Sequence, residues 1–501
     1  MNRSVPPSSA RRQQGAIWRP LLTTLATALL VLLAIMAWHT WQLAARQSPV
    51  AARPGVAVDA QAVAQRLSLA VRQPTVWTPT NAHDDAFAAL HAHLQASFPA
   101  VHATLQREAI GRHALLYTWP GSDPKAPPIA LLAHQDVVPI APGTEKDWQQ
   151  PPFSGAVKDG FVWGRGAWDD KASMMAILEA TELLAQSGFK PRQTIYLAFG
   201  ADEEIGGDDG AKRIAALLRQ RGVKLRFVLD EGLLITHGMV PGVSKPVALI
   251  GMAEKGYMTL KLSTRSQPGH TSMPPPRSAI GVLSEAITRV EAQQMPAHLT
   301  GLPQAMFEAV APEVGGVQRW LLSNLWLTGP LVSSQLEKVP SANAMLRTTA
   351  VATVMHAGER ENVLPGVASV LVNFRLLPGD RSEAVQAHVS QVLTGLDVSV
   401  ASEGAVNEAS GVSSTQSGGY QLVRASLREL QPDVVVAPGL LMGGTDARHF
   451  ADITQATLRF SPVHATPADL PRFHGSNERL AISNYVGMIQ FYERLVRKVN
   501  E

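Results

Sequence analysis

Three apolar runs and one glycine-rich turn, all between residues 129 and 232, each lead to a histidine or a pair of acids. Residues 129–132 (IALL) lead to His134, Gln135 and Asp136. Residues 194–199 (TIYLAF) lead to Asp202, Glu203 and Glu204, and residues 226–229 (RFVL) to Asp230 and Glu231. The turn at 164–171, GRGAWDDK, sets Asp169 beside Asp170 ahead of a helical pattern of Met174, Met175, Ile177, Leu178, Leu183 and Leu184. Short continuous apolar runs read as strands buried on both faces. Helices between such strands define an α/β protein with an open, mainly parallel sheet. Ligands of these sheets bind beyond the carboxyl ends of the strands, so one pattern predicts both the fold and the place of the chemistry.

The chain of 501 residues is too long for one core. Helices are expected at 58–71, 84–98 and 210–221, a strand at 114–119, and a hairpin at 153–164 turning at Asp159-Gly160. After Glu254 the pattern changes. Strands at 257–264, 346–354, 368–375 and 397–401 and helices at 277–290 and 382–393 follow the order β-α-β-β-α-β, which is ferredoxin-like. A segment of weak periodicity, 296–340, interrupts them. A helix at 420–430, a strand at 433–436 and a helix at 484–498 return to the first style. The expected architecture is a discontinuous catalytic domain, 58–254 and 404–501, with an inserted α+β domain at 255–403.

No Asp, Glu, Lys or Arg occurs between Arg19 and Arg46, a length that spans a bilayer. Trp18, Trp38 and Trp41 sit where interfacial aromatics belong. Arg3, Arg11, Arg12 and Arg19 precede the run, which predicts a cytoplasmic segment at 1–19, a transmembrane anchor at 20–42, a tether at 43–57 and the bulk on the non-cytoplasmic side. A cleaved signal peptide is the competing reading; Leu43-Ala44-Ala45 is a poor cleavage site. Those arginines also account for the net charge of +3. No basic patch stands out elsewhere, so no nucleic-acid partner is expected. The chain has no cysteine, which excludes disulfides and thiolate chemistry and leaves His and carboxylates as metal ligands.

Taken singly, these residues have plain explanations. Asp before an apolar run is a common helix cap. Paired acids in loops are mostly solvated, and His91 and His93, two residues apart, do not share a helix face and read as solvated. Taken together, His134, Asp169, Glu204, Asp230 or Glu231, and His474 in FHGSNE make two His and three carboxylates. That set matches a two-metal site with one bridging carboxylate. Asp136 stands two residues after His134, placed to accept the ring N–H and set the tautomer. Glu203, projecting differently from Glu204, suits a general base.

Several stretches carry a family resemblance: LLAHQDVVP, VWGRGAWDDK, FGADEEIGG, VLDEG, PGHTSMP, NVLP with NFR, and GGTDAR with FHGSNE. In this order the sequence resembles the M20 metallopeptidase family, most of all its carboxypeptidase S and N-acyl-amino-acid hydrolase branch, from about residue 58 to the end. The resemblance implies two Zn²⁺, with Co²⁺ or Mn²⁺ as alternatives. His134 and Asp230 would hold one ion and Glu204 and His474 the other, with Asp169 bridging. Asp230 is preferred to Glu231. Asp136 would orient His134, and Glu203 would be the general acid/base. It further implies that the inserted domain is a lid or homodimerisation domain. His270 would stabilise the oxyanion, in similar enzymes sometimes from a partner subunit. Asn362 and Arg375 would bind the substrate, and the Asp169–Asp170 peptide would be cis. Trp168 and Ala172 depart from the usual residues and bear on pocket shape.

The expected reaction is hydrolysis of an amide next to a free carboxylate, on a peptide or an N-acyl amino acid. The rivals are a hydrolase (reversible synthase) of N-fatty-acyl amino acids, with apolar residues of 296–340 lining an acyl groove, and a non-catalytic peptidase-like ectodomain. The complete ligand set argues against the latter. A TIM-barrel amidohydrolase is disfavoured because no HxH pair stands at the first strand end.

Overall fold

The computed structural model describes residues 10–45, 49–78, 80 and 83–501. Its main sheet has eight strands in the order Gln106–Ile110, Ala114–Trp119, Ile195–Gly200, Ile129–His134, Phe227–Thr236, Thr457–Ala465, Val247–Glu254 and Val435–Leu441. Ile129–His134 runs parallel to both neighbours, as do Phe227–Thr236 with Thr457–Ala465 and Val247–Glu254 with Val435–Leu441. The sheet is therefore mostly parallel, and its carboxyl ends bring the 134, 203–204 and 230–231 segments to one edge.

Helix Lys171–Gln186 is apolar nearly all round because it is buried nearly all round, between the strand Ile129–His134 and helices Ala60–Val71 and Ile482–Val499. Its buried charged groups are paired. Glu179 takes a two-pronged bond from Arg66 at 2.6 and 2.7 Å, and Glu182 accepts the Ala100 and Val101 amides. The fully buried Lys171 Nζ donates to the carbonyls of Ala70 and Gln73. Burial pulls its ammonium down from 10.5 to about 7. Across that window the unfolded chain binds more protons than the folded one, so this site's contribution to stability rises with pH. Lys171→Met is expected to flatten the dependence of Tm on pH between about 7 and 10; a curve parallel to wild type would place that dependence elsewhere.

A second, antiparallel sheet has the order Thr349–Ala357, Val367–Leu376, Gly256–Arg265, Ser399–Ser402. In chain order this is 2-3-1-4, the ferredoxin-like arrangement. Helices Ala279–Ala292 and Ser382–Val392 cover one face and share its core. Val367–Leu376 alternates buried and less buried residues at period two, as a sheet covered on one side requires. A small third sheet joins Ala156–Lys158, Phe161–Trp163 and Arg479–Ala481, the first two through a turn at Asp159-Gly160 with φ of 52° and 79°.

Three strands of the main sheet, Gln106–Ile110, Val247–Glu254 and Thr457–Ala465, stand where no element was expected, and three expectations change. The strand expected at 433–436 is Val435–Leu441. The weakly periodic segment is helical: Leu302–Val310, Gly316–Leu322, Leu325–Leu336 and Pro340–Leu346. Its periodicity is weak because Leu325–Leu336 (LWLTGPLVSSQL) has apolar residues on both its buried and its exposed sides. Part of the tether is fastened rather than free: Arg53 N donates to Glu429 O, and Gln490 and Arg494 donate to the carbonyls of Val56 and Pro54.

The N-terminal helix is Ala10–Ala45. Its stretch Leu21–Leu43, 23 residues with mean hydropathy 2.3, is long and apolar enough to cross a bilayer. Residues 1–9 of the expected basic segment and 46–48 of the expected tether lie outside the described residues.

Candidate metal centre

Asp169 stands between two imidazoles. Its Oδ1 is 3.0 Å from His134 Nε2 and its Oδ2 is 2.7 Å from His474 Nε2. Glu231 Oε1 lies 3.3 Å from the same His134 nitrogen, and Glu204 Oε2 lies 3.3 Å from His474 Nε2. Each imidazole thus faces one oxygen of Asp169 and one glutamate. The peptide joining Asp169 to Asp170 is cis.

Of the Asp230-Glu231 pair, in which Asp230 is the expected ligand, it is Glu231 whose side chain faces His134. Asp230 turns away, and its two oxygens accept the amides of Glu231 at 3.0 Å and Ala447 at 2.7 Å. Successive residues on a strand point to opposite sides, so only one of the two acids can face His134. The amide of Ala447, from a distant turn, selects Asp230 for the other side.

Asp136 also differs in detail. His134 Nδ1 lies 2.9 Å from the main-chain oxygen of Asp136 and 3.4 Å from its carboxylate. The carboxylate accepts the amides of Glu203 at 3.2 Å and Glu204 at 3.1 Å. Asp136 therefore sets the imidazole through its carbonyl and fixes the Glu203-Glu204 turn through its side chain.

The Asp169 loop is held by a residue the sequence did not single out. Glu478, fully buried, accepts the amides of Gly166, Trp168 and Asp169 on Oε1, at 2.9, 2.9 and 3.1 Å. Its Oε2 takes Arg165 Nη1 at 2.7 Å, and Arg165 Nη2 donates to His474 O. This couple ties the GRGAWDDK turn to the FHGSNE loop. The only sequence signal was that Glu478 belongs to a quoted motif. Trp168, flagged for its bulk, packs edge-on against Phe473 at 5.8 Å beside His474.

Electrostatically the cluster is strained as a set of acids. Burial pushes the Glu203 carboxyl well above its ordinary range, reinforced by Glu231, Asp446 and Glu204. Burial and Asp169 lift Glu231 to about 8. Hydrogen bonds to Asp169 and Glu204 lift His474 to about 10. Burial opposes the charge on Asp169, but His134 and His474 pull its carboxyl below the usual carboxylate values. Glu204 Oε1 is buried without a hydrogen-bond partner. Ligand atoms of His134, Asp169 and Glu204 lie within 4.8 Å of one another, as do those of His134, Asp170 and Glu231. Imidazole nitrogens and carboxylate oxygens converging in this way, one oxygen orphaned, fit divalent cations of the zinc type.

A cavity of about 690 Å³ opens on the cluster. Asp169, Glu203, Glu204, Glu231 and His474 line one side; Lys255, Tyr257 and Arg375 line the side of the second sheet; Arg448 adds a third cation. Arg375 lies over the Tyr257 ring at 5.0 Å. Arg448, quoted in GGTDAR but given no role, donates to Gly206 O at 2.8 Å. His270 and Asn362 are not brought there. His270 sits on the short pair Gly269–His270 with Val363–Leu364 and Asn362 in the turn just before it, both exposed, with His270 Nδ1 against Ser272 Oγ at 2.8 Å. His91 and His93, expected in solvent, are half-buried and bond Gln135 Oε1 and Arg66 O.

Imidazoles and carboxylates converging beyond the strand ends of an open α/β sheet form a candidate centre for divalent cations. Residues 130–498 match peptidase family M20/M25/M40, and the chain belongs to that family. It is 39% identical over 421 residues to the probable carboxypeptidase S-like 2 of Dictyostelium discoideum, covering 84% of this chain and 80% of the relative. It is 37% identical over 457 residues to the N-fatty-acyl-amino acid synthase/hydrolase PM20D1 of Homo sapiens, covering 88% of each. In fold it is similar to the M20 family metallo-carboxypeptidase Sso-CP2 of Sulfolobus solfataricus, with a TM-score of 0.63, 16% identity and coverage of 89% and 100%. Human carnosine dipeptidase 1 gives 0.61, 14%, and 88% and 96%.

Proposed function

We propose that this chain is a membrane-anchored di-zinc hydrolase that cleaves an amide next to a free carboxylate, in the manner of a carboxypeptidase or dipeptidase. The observation that carries this reading is Asp169 set between His134 and His474, with Glu203 on the wall of the same cavity. His134, Asp169 and Glu231 would hold one ion, and Asp169, Glu204 and His474 the other. When bound, the pair acidifies a water and polarises the scissile carbonyl. Glu203 accepts the proton of the attacking water and returns it to the leaving amine nitrogen. Asp136 and Glu478 keep the ligand-bearing turns in place. Chelation is expected to abolish activity, and Zn²⁺, Co²⁺ or Mn²⁺ to restore it.

Arg375 is assigned to the substrate carboxylate, for which a planar guanidinium is suited. Its support is its place on the cavity wall opposite the ligands. Arg375→Ala is expected to lower kcat/KM about 10- to 100-fold, the worth of a charged hydrogen bond of about 1.5–3 kcal/mol. The loss should vanish for a substrate whose carboxylate is blocked as an ester. Equal losses on both substrates would remove the assignment.

His270 and Asn362 are assigned to the oxyanion and to substrate binding in a second copy of the chain. Support comes from their exposure away from their own cavity and from the edge strand Thr349–Ala357, which exposes Val351, Val354 and Met355. An unpaired apolar edge is suited to pairing between copies. Mixing His270→Ala and Glu203→Gln chains should then restore part of the activity in the mixed dimer; no recovery in a proven heterodimer would sink the idea.

The second reading is hydrolysis, or the reverse synthesis, of N-fatty-acyl amino acids. The apolar N-terminal helix and the names of relatives favour it. It keeps the same centre and the same carboxylate. Competing a dipeptide against an N-oleoyl amino acid on the full chain separates the two.

A further inference from the structure

The helical segment 302–346 carries the N-terminal helix. Met36, 2% exposed, and Leu43 are buried, and Leu43 shares a core with Val243, Phe307, Val310 and Leu322. Asn324, fully buried, donates from Nδ2 to Met36 O and Thr40 Oγ1, both at 3.2 Å, and His39 meets Trp326 at 5.9 Å. These contacts all fall in the last two turns of Leu21–Leu43. At about 1.5 Å per residue that stretch is about 34 Å long, against a hydrocarbon core of about 30 Å. The docking site therefore takes in the last third of the apolar span, on the side where it approaches the bilayer interface.

Helix Leu325–Leu336 sits at that level and contains no charged residue. Its buried side, with Leu325 and Val332, faces the segment's own core. Its other side exposes Trp326 (51%), Leu327 (43%), Pro330 and Leu331 (56%) within one arc of the helix. Trp38 and Trp41 are exposed at the same end of the span, and Trp326 meets His39, which lies between them in sequence. Tryptophans at the ends of a span and an uncharged apolar helix face beside them are what the interfacial layer of a bilayer accepts.

We propose that helix Leu325–Leu336 is a second membrane contact, lying in the bilayer interface with Trp326, Leu327 and Leu331 in lipid; this rests on the reading of Leu21–Leu43 as a membrane anchor. The occupant of the exposed face is lipid, because Trp326 and the neighbouring Asn324 join this helix to the anchor at the end of its span, so the uncharged apolar face stands beside the bilayer. The contact fixes how the catalytic cavity stands over the membrane. At the end of the segment and just beyond it, the carbonyls of Ala344 and Arg347 accept from Lys255 Nζ, and Lys255 lines the cavity. The active site is thus braced against an element that lies on the bilayer, within reach of amphiphilic substrates.

The absence of cysteine permits single-site labels on the full chain in proteoliposomes. Fluorophores are placed by Leu327→Cys and Leu331→Cys in parallel, by Leu29→Cys in mid-span, and by Lys190→Cys as an exposed reference. Quenching is read with lipids carrying the nitroxide at headgroup level for 327 and 331 and at mid-chain for 29, and with aqueous iodide. Labels at 327 and 331 are expected to be quenched by lipid and several-fold less open to iodide than the label at 190. Lipid quenching at 29 but not at 327 or 331 would overturn the inference alone, with iodide access meaning a solvated face and protection from both quenchers a protein cover. No lipid quenching at any site would overturn the anchor reading as well.

Discussion

Glu203→Gln is expected to lower kcat by about 10²- to 10⁴-fold while leaving bound metal and Tm close to wild type. The amide keeps the shape of the side chain but cannot take a proton from water. Glu203 lines the cavity beside the ligands without being placed among them. Burial and its acidic neighbours Glu231, Asp446 and Glu204 raise its affinity for a proton, as a group that carries one between water and amine requires. The measurement is kcat together with metal content by elemental analysis. Full turnover would remove Glu203 from the proton-transfer role. Loss of metal in step with activity would make it a ligand instead.

Glu478→Ala is expected to cost about 3–5 kcal/mol of stability, because it leaves the buried Arg165 unpaired and strips the acceptor from the amides of Gly166, Trp168 and Asp169. Those amides belong to the loop that presents the central carboxylate. Metal affinity should therefore fall as well, by the 10- to 100-fold typical of groups that orient ligands. Glu478→Gln keeps an oxygen for the amides and should lose less in both respects. Thermal unfolding and competition with a chelator read the two effects. Unchanged metal affinity in a folded Glu478→Ala protein would confine Glu478 to a structural role.

Much of this centre is legible in the sequence because it follows from local rules. Continuous apolar runs specify buried strands, the connections specify a mostly parallel sheet, and such a sheet gathers its strand ends at one edge. His134, Asp169 and Glu204 follow directly, and His474 follows from being the late histidine beside further motif residues. The hairpin at Asp159-Gly160 was equally local, since both positions need positive φ. The helices of 302–346 were not legible, since the period-3.6 signal fades when a helix is apolar on two sides.

The sequence by itself determined the strands that carry His134, Glu203-Glu204 and Asp230-Glu231 and the sheet edge where they gather, because each depends on periodicity or on neighbours a few residues away; the strands Gln106–Ile110, Val247–Glu254 and Thr457–Ala465 carry no such signal and came only with the structure. The tertiary structure alone decided which acid of Asp230-Glu231 faces His134, since the choice rests on the amide of Ala447, 217 residues from Asp230. It alone showed that Glu478 shapes a loop about 310 residues earlier in the chain and that His270 and Asn362 stand apart from their own cavity. A side chain's direction is set by the partners that fold around it, and those partners are adjacent only in space.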